Sequence, residues 1–211
     1  MNSNVKDLIA IYKKKRVEIK RRLAEFEKTG KKGNKKLFAE LCFCLCTPQS
    51  KAVNCDEAVR RLEASGGLFK GSSEKVAKHL KGLVRFHNNK AKYIVEAREK
   101  FCNTKSVCPS LKSDPIRARA WLVENIKGLG MKEASHFLRN IGLGNDLAII
   151  DRHILTNLKR YGAIEQIPET ISDKQYLIIE ENMREFSRAL NIPMAELDLV
   201  FWSSETGHIF K

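Results

Sequence analysis

The sequence predicts an all-α protein of two helical lobes, on three observations. Apolar residues recur at helical spacing along nearly the whole chain. Glycine and proline fall where such segments stop and start. No alternating apolar and polar run extends beyond a few residues, so no segment reads as a strand.

Residues 5–29 form the first amphipathic helix, with Val5, Leu8, Ile9, Tyr12, Ile19, Leu23 and Phe26 on one face and Lys13–Arg16 and Lys20–Arg22 on the other. The lysine-rich turn from Gly30 to Gly33 stops it. Residues 36–47 are apolar nearly all round, which suits a helix at the centre of a bundle. Cys42, Cys44 and Cys46 within it suggest either metal ligands or buried small hydrophobes. In a helix Cys42 and Cys44 point to different sides, which favours the second reading. Further helices are expected at 51–64, 74–82, 88–103, 115–126, 131–141, 151–161, 173–190 and 193–205. Asp114-Pro115 supplies a cap and a first-turn proline, and Pro193 suits a first turn again. Residues 31–150 are read as a central helical barrel, and residues 1–30 with 151–211 as a second lobe.

The 211 residues are 43% hydrophobic, enough for a packed core and too apolar for a disordered chain. The net charge of +14 is uneven: residues 1–36 carry +9, residues 37–150 carry +8 and residues 151–211 carry −3. A basic amino-terminal half points to a polyanion, with nucleic acid first among them, although a merely soluble basic surface has the same composition. No run approaches the ~18 apolar residues of a membrane span, and no hydrophobic signal region opens the chain. An intracellular, cytoplasmic protein is therefore expected, with its six cysteines, 42, 44, 46, 55, 102 and 108, as free thiols.

The most informative stretch runs from Trp121 to Leu155. A helix leads into Lys127-Gly128-Leu129-Gly130, and a second helix follows. Two glycines around one apolar residue permit a tight reversal and let a phosphate approach the backbone amides, while Leu129 tucks between the helices. The new helix points its free N–H groups and dipole at the same anion. Such a hairpin grips phosphate without reading sequence. A compact corner between two helices has the same local pattern.

Lys127-Gly-Leu-Gly-Met-Lys132, followed by Ile149-Ile-Asp-Arg-His-Ile154, resembles the signature of the helix-hairpin-helix DNA glycosylase superfamily, with the hairpin at about residues 117–141. The interval of 19 residues from Lys132 to Asp151 matches that family's lysine-to-aspartate spacing. Leu45-Cys-Thr-Pro-Gln-Ser50 is similar to the loop after the family's second helix, and Gly82-Leu-Val-Arg-Phe-His-Asn-Asn-Lys-Ala91 to its Gly-x-x-x-x-Lys-Ala segment. The family's Gly/Pro-rich loop departs here to Gly142-Leu-Gly-Asn-Asp146, without proline, which predicts a less rigid loop.

The resemblance implies a chemistry. Breaking an N-glycosidic bond builds positive charge on the sugar, and a carboxylate beside the anomeric carbon stabilises it. Asp151 matches that position, although by itself it reads as a helix cap. Lys132 stands in the first turn after the hairpin, where the helix dipole and partial burial favour the neutral amine over the ammonium. A neutral amine attacks the anomeric carbon and forms a Schiff base, after which β-elimination cuts the strand. Family members with this lysine cut base and strand, so the resemblance implies a bifunctional glycosylase and AP lyase on double-stranded DNA, working as a monomer.

The target base must leave the stack. By resemblance Gln49 fills the gap, His153 stands near the phosphates with Lys127, Gly128, Leu129 and Gly130, and the carbonyls of Glu124, Ile126 and Leu129 hold a monovalent cation. Endonuclease III-like relatives end in a four-cysteine iron–sulfur cluster, whereas no cysteine follows Cys108 here. The terminus Phe201-Trp-Ser-Ser-Glu-Thr-Gly-His-Ile-Phe-Lys211 instead resembles the short archaeal-type 8-oxoguanine glycosylases. There Lys211 would close over the flipped base, Trp202 and Phe86 would stack on it, His136 would face the pocket and Asp198 would reach the base edge. A core aromatic at Trp202 and a frayed end at Lys211 are the structural readings of the same residues. A glycosylase for another oxidised base, and a hairpin module that only binds DNA, are the rival functions.

The charge reading is checked by measuring duplex affinity against ionic strength. Log affinity should fall by about 0.9 per log unit of salt for each phosphate neutralised, and a flat response would contradict a DNA partner.

Overall fold

Helices form where apolar residues repeat at helical spacing, and the computed structural model, which describes residues 3–102 and 114–211, shows eleven of them among those residues. They are α1 (Ser3–Gly30), α2 (Asn34–Cys46), α3 (Ala52–Ala64), α4 (Gly67–Lys70), α5 (Ser73–Leu80), α6 (His87–Cys102), α7 (Pro115–Asn125), α8 (Met131–Asn140), α9 (Arg152–Arg160), α10 (Asp173–Leu190) and α11 (Met194–Thr206). The described residues contain no strand. Each expected helix is present within two residues of its expected bounds, and only the single turn α4 is additional, being too short to show periodicity. Asp114 Oδ1 accepts from the amides of Ile116 and Arg117 at 2.9 and 3.3 Å, with Pro115 as the first helical residue. Pro193 stands one position earlier than expected, as the cap before α11.

Two apolar cores result. The first gathers Phe38, Phe43, Leu62, Phe101 and Phe137 from α2, α3, α6 and α8. The second gathers Leu8 and Ile19 of α1 with Leu158, Met183 and Phe201 of α9, α10 and α11. The chain passes from one to the other between Leu147 and Ala148. The carboxy-terminal tail also bridges them, with Ile209 in the second core and Phe210 against the first. Cys42, Cys44, Cys46 and Cys55 are buried free thiols. Burial pushes the Cys44 thiol well up, so it behaves as a small apolar group. The Cys102 side chain and Cys108 lie outside the described residues. No group of three or more His, Cys, Asp or Glu among the described residues is placed to hold a metal ion, and no described helix is long and apolar enough to cross a membrane.

Polar pairs fix the lobes on each other. Arg119 of α7 and Glu180 of α10, both almost fully buried, pair in a fork at 2.6 and 2.9 Å. Glu180 also accepts from the Ala148 amide at 2.8 Å. The Tyr176 hydroxyl donates to Ala148 O at 2.6 Å and accepts from the Ile150 amide at 3.2 Å. The crossing segment is thus held by α10 just before Asp151.

The proline-free loop after α8 was expected to be less rigid, yet it is tightly tied. Leu138 O accepts from the amides of Leu143 and Gly144 at 2.9 and 3.1 Å. Gly142 takes φ +73°, and a Cβ there would lie 2.6 Å from Glu27 Cα. Close backbone contact with α1 does the work expected of proline.

Replacing Glu180 with Leu strands the buried Arg119 charge and should cost about 3–5 kcal/mol, read as a lower urea midpoint at unchanged slope. The double replacement Arg119→Met, Glu180→Leu should recover part of that loss.

Candidate active site

The hairpin sets the position of the lysine. Gly128 takes φ +92°, and a methyl there would lie 2.5 Å from the Tyr93 ring, so this position requires glycine. Leu129 is buried between the helices and donates its amide to Ile126 O at 3.1 Å. Gly130 differs from expectation. It takes φ −99° and ψ −174°, extended backbone open to any residue, as the cap position of α8. Its amide donates to Glu133 Oε2 at 3.3 Å, and the other oxygen of that carboxylate meets Lys132 Nζ at 2.9 Å. The Lys132 side chain is 31% exposed. Partial burial was expected, but the counter-charge of Glu133 was not. Asp151 caps α9, its Oδ1 accepting the Ile154 amide at 2.8 Å.

Both residues line one cavity of about 400 Å³ between the two lobes. Its floor is ionic. Arg139 of α8 and Asp198 of α11 pair at 3.2 Å, both nearly fully buried. Burial raises the Asp198 carboxyl to about 6; Arg139 opposes that rise and Asp151 adds to it. His136 lies one turn beyond Lys132, edge-on to Phe43 at 5.5 Å between ring centres. Burial, with the charges of Arg139, Lys132 and Lys211, holds its imidazole well below the ordinary range, so the ring is neutral near pH 7. His136 Nε2 and Arg139 Nε are buried without a hydrogen-bond partner, and both residues line the cavity. Two buried polar atoms at one cavity are what a polar ligand would satisfy.

Lys211 closes one wall. Its Nζ donates to Asp56 Oδ1 at 2.6 Å and Glu40 Oε2 at 3.2 Å, and lies 4.5 Å from the centre of the Phe43 ring. Burial works against its charge, yet the two carboxylates carry the net shift upward. The last residue is therefore anchored, not frayed. Half-buried Trp202 lines the cavity with its ring edge-on to His208.

A family model for 8-oxoguanine DNA glycosylase matches residues 19–192. This chain belongs to the 8-oxoguanine DNA glycosylase family. A relative from Fusobacterium nucleatum, named 8-oxoguanine DNA glycosylase/AP lyase, is 44% identical over 100% of this chain and 99% of its own. One of the same name from Methanocaldococcus jannaschii is 40% identical over 100% of this chain and 95% of its own. Among solved structures, the 8-oxoguanine DNA glycosylase of Thermotoga maritima superposes with a TM-score of 0.87 at 36% identity, covering 98% of this chain and 97% of that one. The Methanocaldococcus jannaschii 8-oxoguanine glycosylase/lyase, in complex with a 15mer DNA containing 8-oxoguanine, superposes with a TM-score of 0.87 at 38% identity, covering 97% and 99%.

In this family member the cavity collects Lys132, Asp151, His136, Asp198, Trp202, Lys211, Gln49 and His153. Gln49 and His153 are exposed at its rim. Phe86 is not among the lining residues. It is 55% exposed, with Arg85 over its ring at 5.6 Å, so no stacking surface in the cavity comes from it. Lys127 is exposed, near Tyr93 and 3.9 Å from Glu96. Sequence reasoning missed Arg139, Glu133, Glu40 and Asp56. Arg139 was findable, since positions 132, 136 and 139 share one helical face. Glu40 and Asp56 reach Lys211 from α2 and α3, and no local pattern announces them.

Because folded Asp198 holds its proton up to about pH 6, against an ordinary value of 3.8, the folded state binds more protons than the unfolded one between these limits. This group's contribution to stability is present below the lower limit and is lost as pH rises through the upper one. An Asp198→Asn variant should lack that loss in denaturant titrations run from about pH 4 to pH 7.

Proposed function

We propose that the chain excises 8-oxoguanine from duplex DNA and then cleaves the strand at the abasic site. The observation that carries this is the meeting of Lys132 and Asp151 in one cavity beside a phosphate-holding hairpin. The lesion itself is inferred from the family and from the names of the relatives.

The basic amino-terminal half draws in the duplex, and the amides at Lys127–Gly130 with His153 hold the backbone. Gln49 enters the stack as the damaged nucleotide swings into the cavity. Trp202 stacks on the base, Lys211 and Asp198 meet its polar edge, and the free Nε2 of neutral His136 offers it a further hydrogen bond. The Lys132 amine, freed of its proton, attacks C1′. The Nζ–C1′ bond forms as the bond to the base breaks, and the base leaves with a proton. The Asp151 carboxylate stabilises the positive charge that develops on the sugar. Ring opening gives an iminium, loss of a C2′ proton expels the 3′ phosphate, and water releases the enzyme.

The carbonyls of Glu124, Ile126 and Leu129 would hold a monovalent cation at the hairpin. Ile126 O accepts the Leu129 amide at 3.1 Å and has a second lone pair to offer such an ion. The ion would draw a DNA phosphate to the turn. The reaction above calls on residues of a single copy of the chain, and we propose that it acts on DNA as a monomer.

The test is a borohydride trap. Wild type should give a covalent adduct on an 8-oxoguanine duplex and a weaker one on an oxidised-pyrimidine duplex. Lys132→Ala should lose the adduct and keep duplex affinity. No adduct on any lesion would leave only a DNA-binding module, and preference for the pyrimidine would reassign the lesion.

A further inference from the structure

The Gly82–Ala91 segment carries a lysine, next to its end, that the reaction above does not use. Lys90 is 5% exposed and forms no ion pair among the described residues. Its Nζ donates to Pro48 O at 2.6 Å, Cys46 O at 2.8 Å and Ser50 Oγ at 3.3 Å. Three donors thus meet three oxygens, all from the short stretch that ends α2 and carries Gln49. Its charge also faces the negative end of the α2 dipole. Ser50 Oγ accepts in turn from the Arg85 amide at 2.9 Å, which extends the junction to the turn that carries Phe86.

Backbone strain collects at this junction. Among the described residues only Gln49, Phe86 and Asn191 are non-glycines with positive φ, at 55°, 56° and 53°. Asn191 ends α10, where asparagine commonly takes this conformation. Glutamine and phenylalanine do not favour it, and they keep it only where the surroundings impose it. These two flank the Ser50–Lys90–Arg85 junction, and both are exposed rather than packed into a core. The strain therefore serves no packing need of the free protein.

We propose that Lys90 is a positioning residue, whose buried ammonium holds the Gln49 loop and the Phe86 turn in outward conformations ready to enter the duplex. The inference rests on the excision reaction proposed above. A loop held in its entry conformation before DNA arrives removes the population penalty on flipping. The effect is confined to extracting a base, because an abasic site has none to extract.

The test compares wild type, Lys90→Met and Ser50→Ala in single-turnover borohydride trapping on two duplexes, one with 8-oxoguanine and one with a preformed abasic site. A 2-aminopurine beside the lesion reports unstacking. Ser50→Ala leaves the buried ammonium its two carbonyls, so it decides the matter if Lys90→Met does not fold. With the competent loop population cut to a tenth, Lys90→Met should trap about tenfold more slowly on 8-oxoguanine, with a smaller 2-aminopurine signal. Ser50→Ala should lose about threefold in the same way, and both should stay within about twofold of wild type on the abasic duplex. In folded variants, equal losses on the two duplexes, or no loss on either, overturn the role of Lys90. A wild type that traps on the abasic duplex but never on 8-oxoguanine overturns the excision reading itself.

Discussion

The buried fork between Arg119 and Glu180 is the constraint on which the cleft depends. Glu180 spends its oxygens on Arg119 and on the Ala148 amide, and Tyr176 fixes the next turn of backbone from the same helix. The segment that carries the chain from one core to the other is therefore held by α10 and not by its own secondary structure. Asp151 follows at once and lines the cavity. A buried ion pair contributes little to stability beyond what apolar residues of equal volume would supply. Its value here is geometric: it fixes the register between a helix of one lobe and the crossing strand of chain that leads into the other.

Charge is distributed in the cavity so that each polar group has a defined state. Arg139 and Asp198 neutralise each other across the lobes, and Glu40 with Asp56 holds the Lys211 ammonium against the wall. His136 lies between these cations and is kept neutral by them and by burial. A neutral imidazole with one free nitrogen suits hydrogen bonding to an uncharged base better than an imidazolium does. Among the described residues Asp151 has no ion-pair partner; it accepts one backbone amide and keeps other lone pairs while lining the cavity. Glu133 performs two tasks with one carboxylate, closing the hairpin at Gly130 and restraining the amine of Lys132.

Close backbone approach takes the place of stiffer residues. Gly128 lies against Tyr93 and Gly142 against Glu27 of α1, so the two ends of α8 are each pinned by a contact that a side chain would block. Between these points run Lys132, His136 and Arg139 on one face. The tail adds a third restraint: Ile209 packs into the second core and Phe210 against the first, and Lys211 follows onto α2 and α3.

Much of the helix order was legible because each helix carries its own apolar stripe and its own end signals, as at Asp114-Pro115 and Gly30–Gly33. The hairpin was legible because its signal is local, and the pair Lys132 and Asp151 because its spacing resembles that of the family. Phe86, expected to stack on the base, is exposed and does not line the cavity, because similarity along the chain does not say which way a turn faces. Glu40 and Asp56 acquire Lys211 only when the tail packs on α2 and α3, and Lys90 acquires its partners only when α6 packs on the end of α2. By itself, then, the sequence determined the helices and the turn, since these depend on interactions between near neighbours. Only the tertiary structure decided which charges meet across the cleft, because burial and pairing arise from packing residues 59 to 171 positions apart.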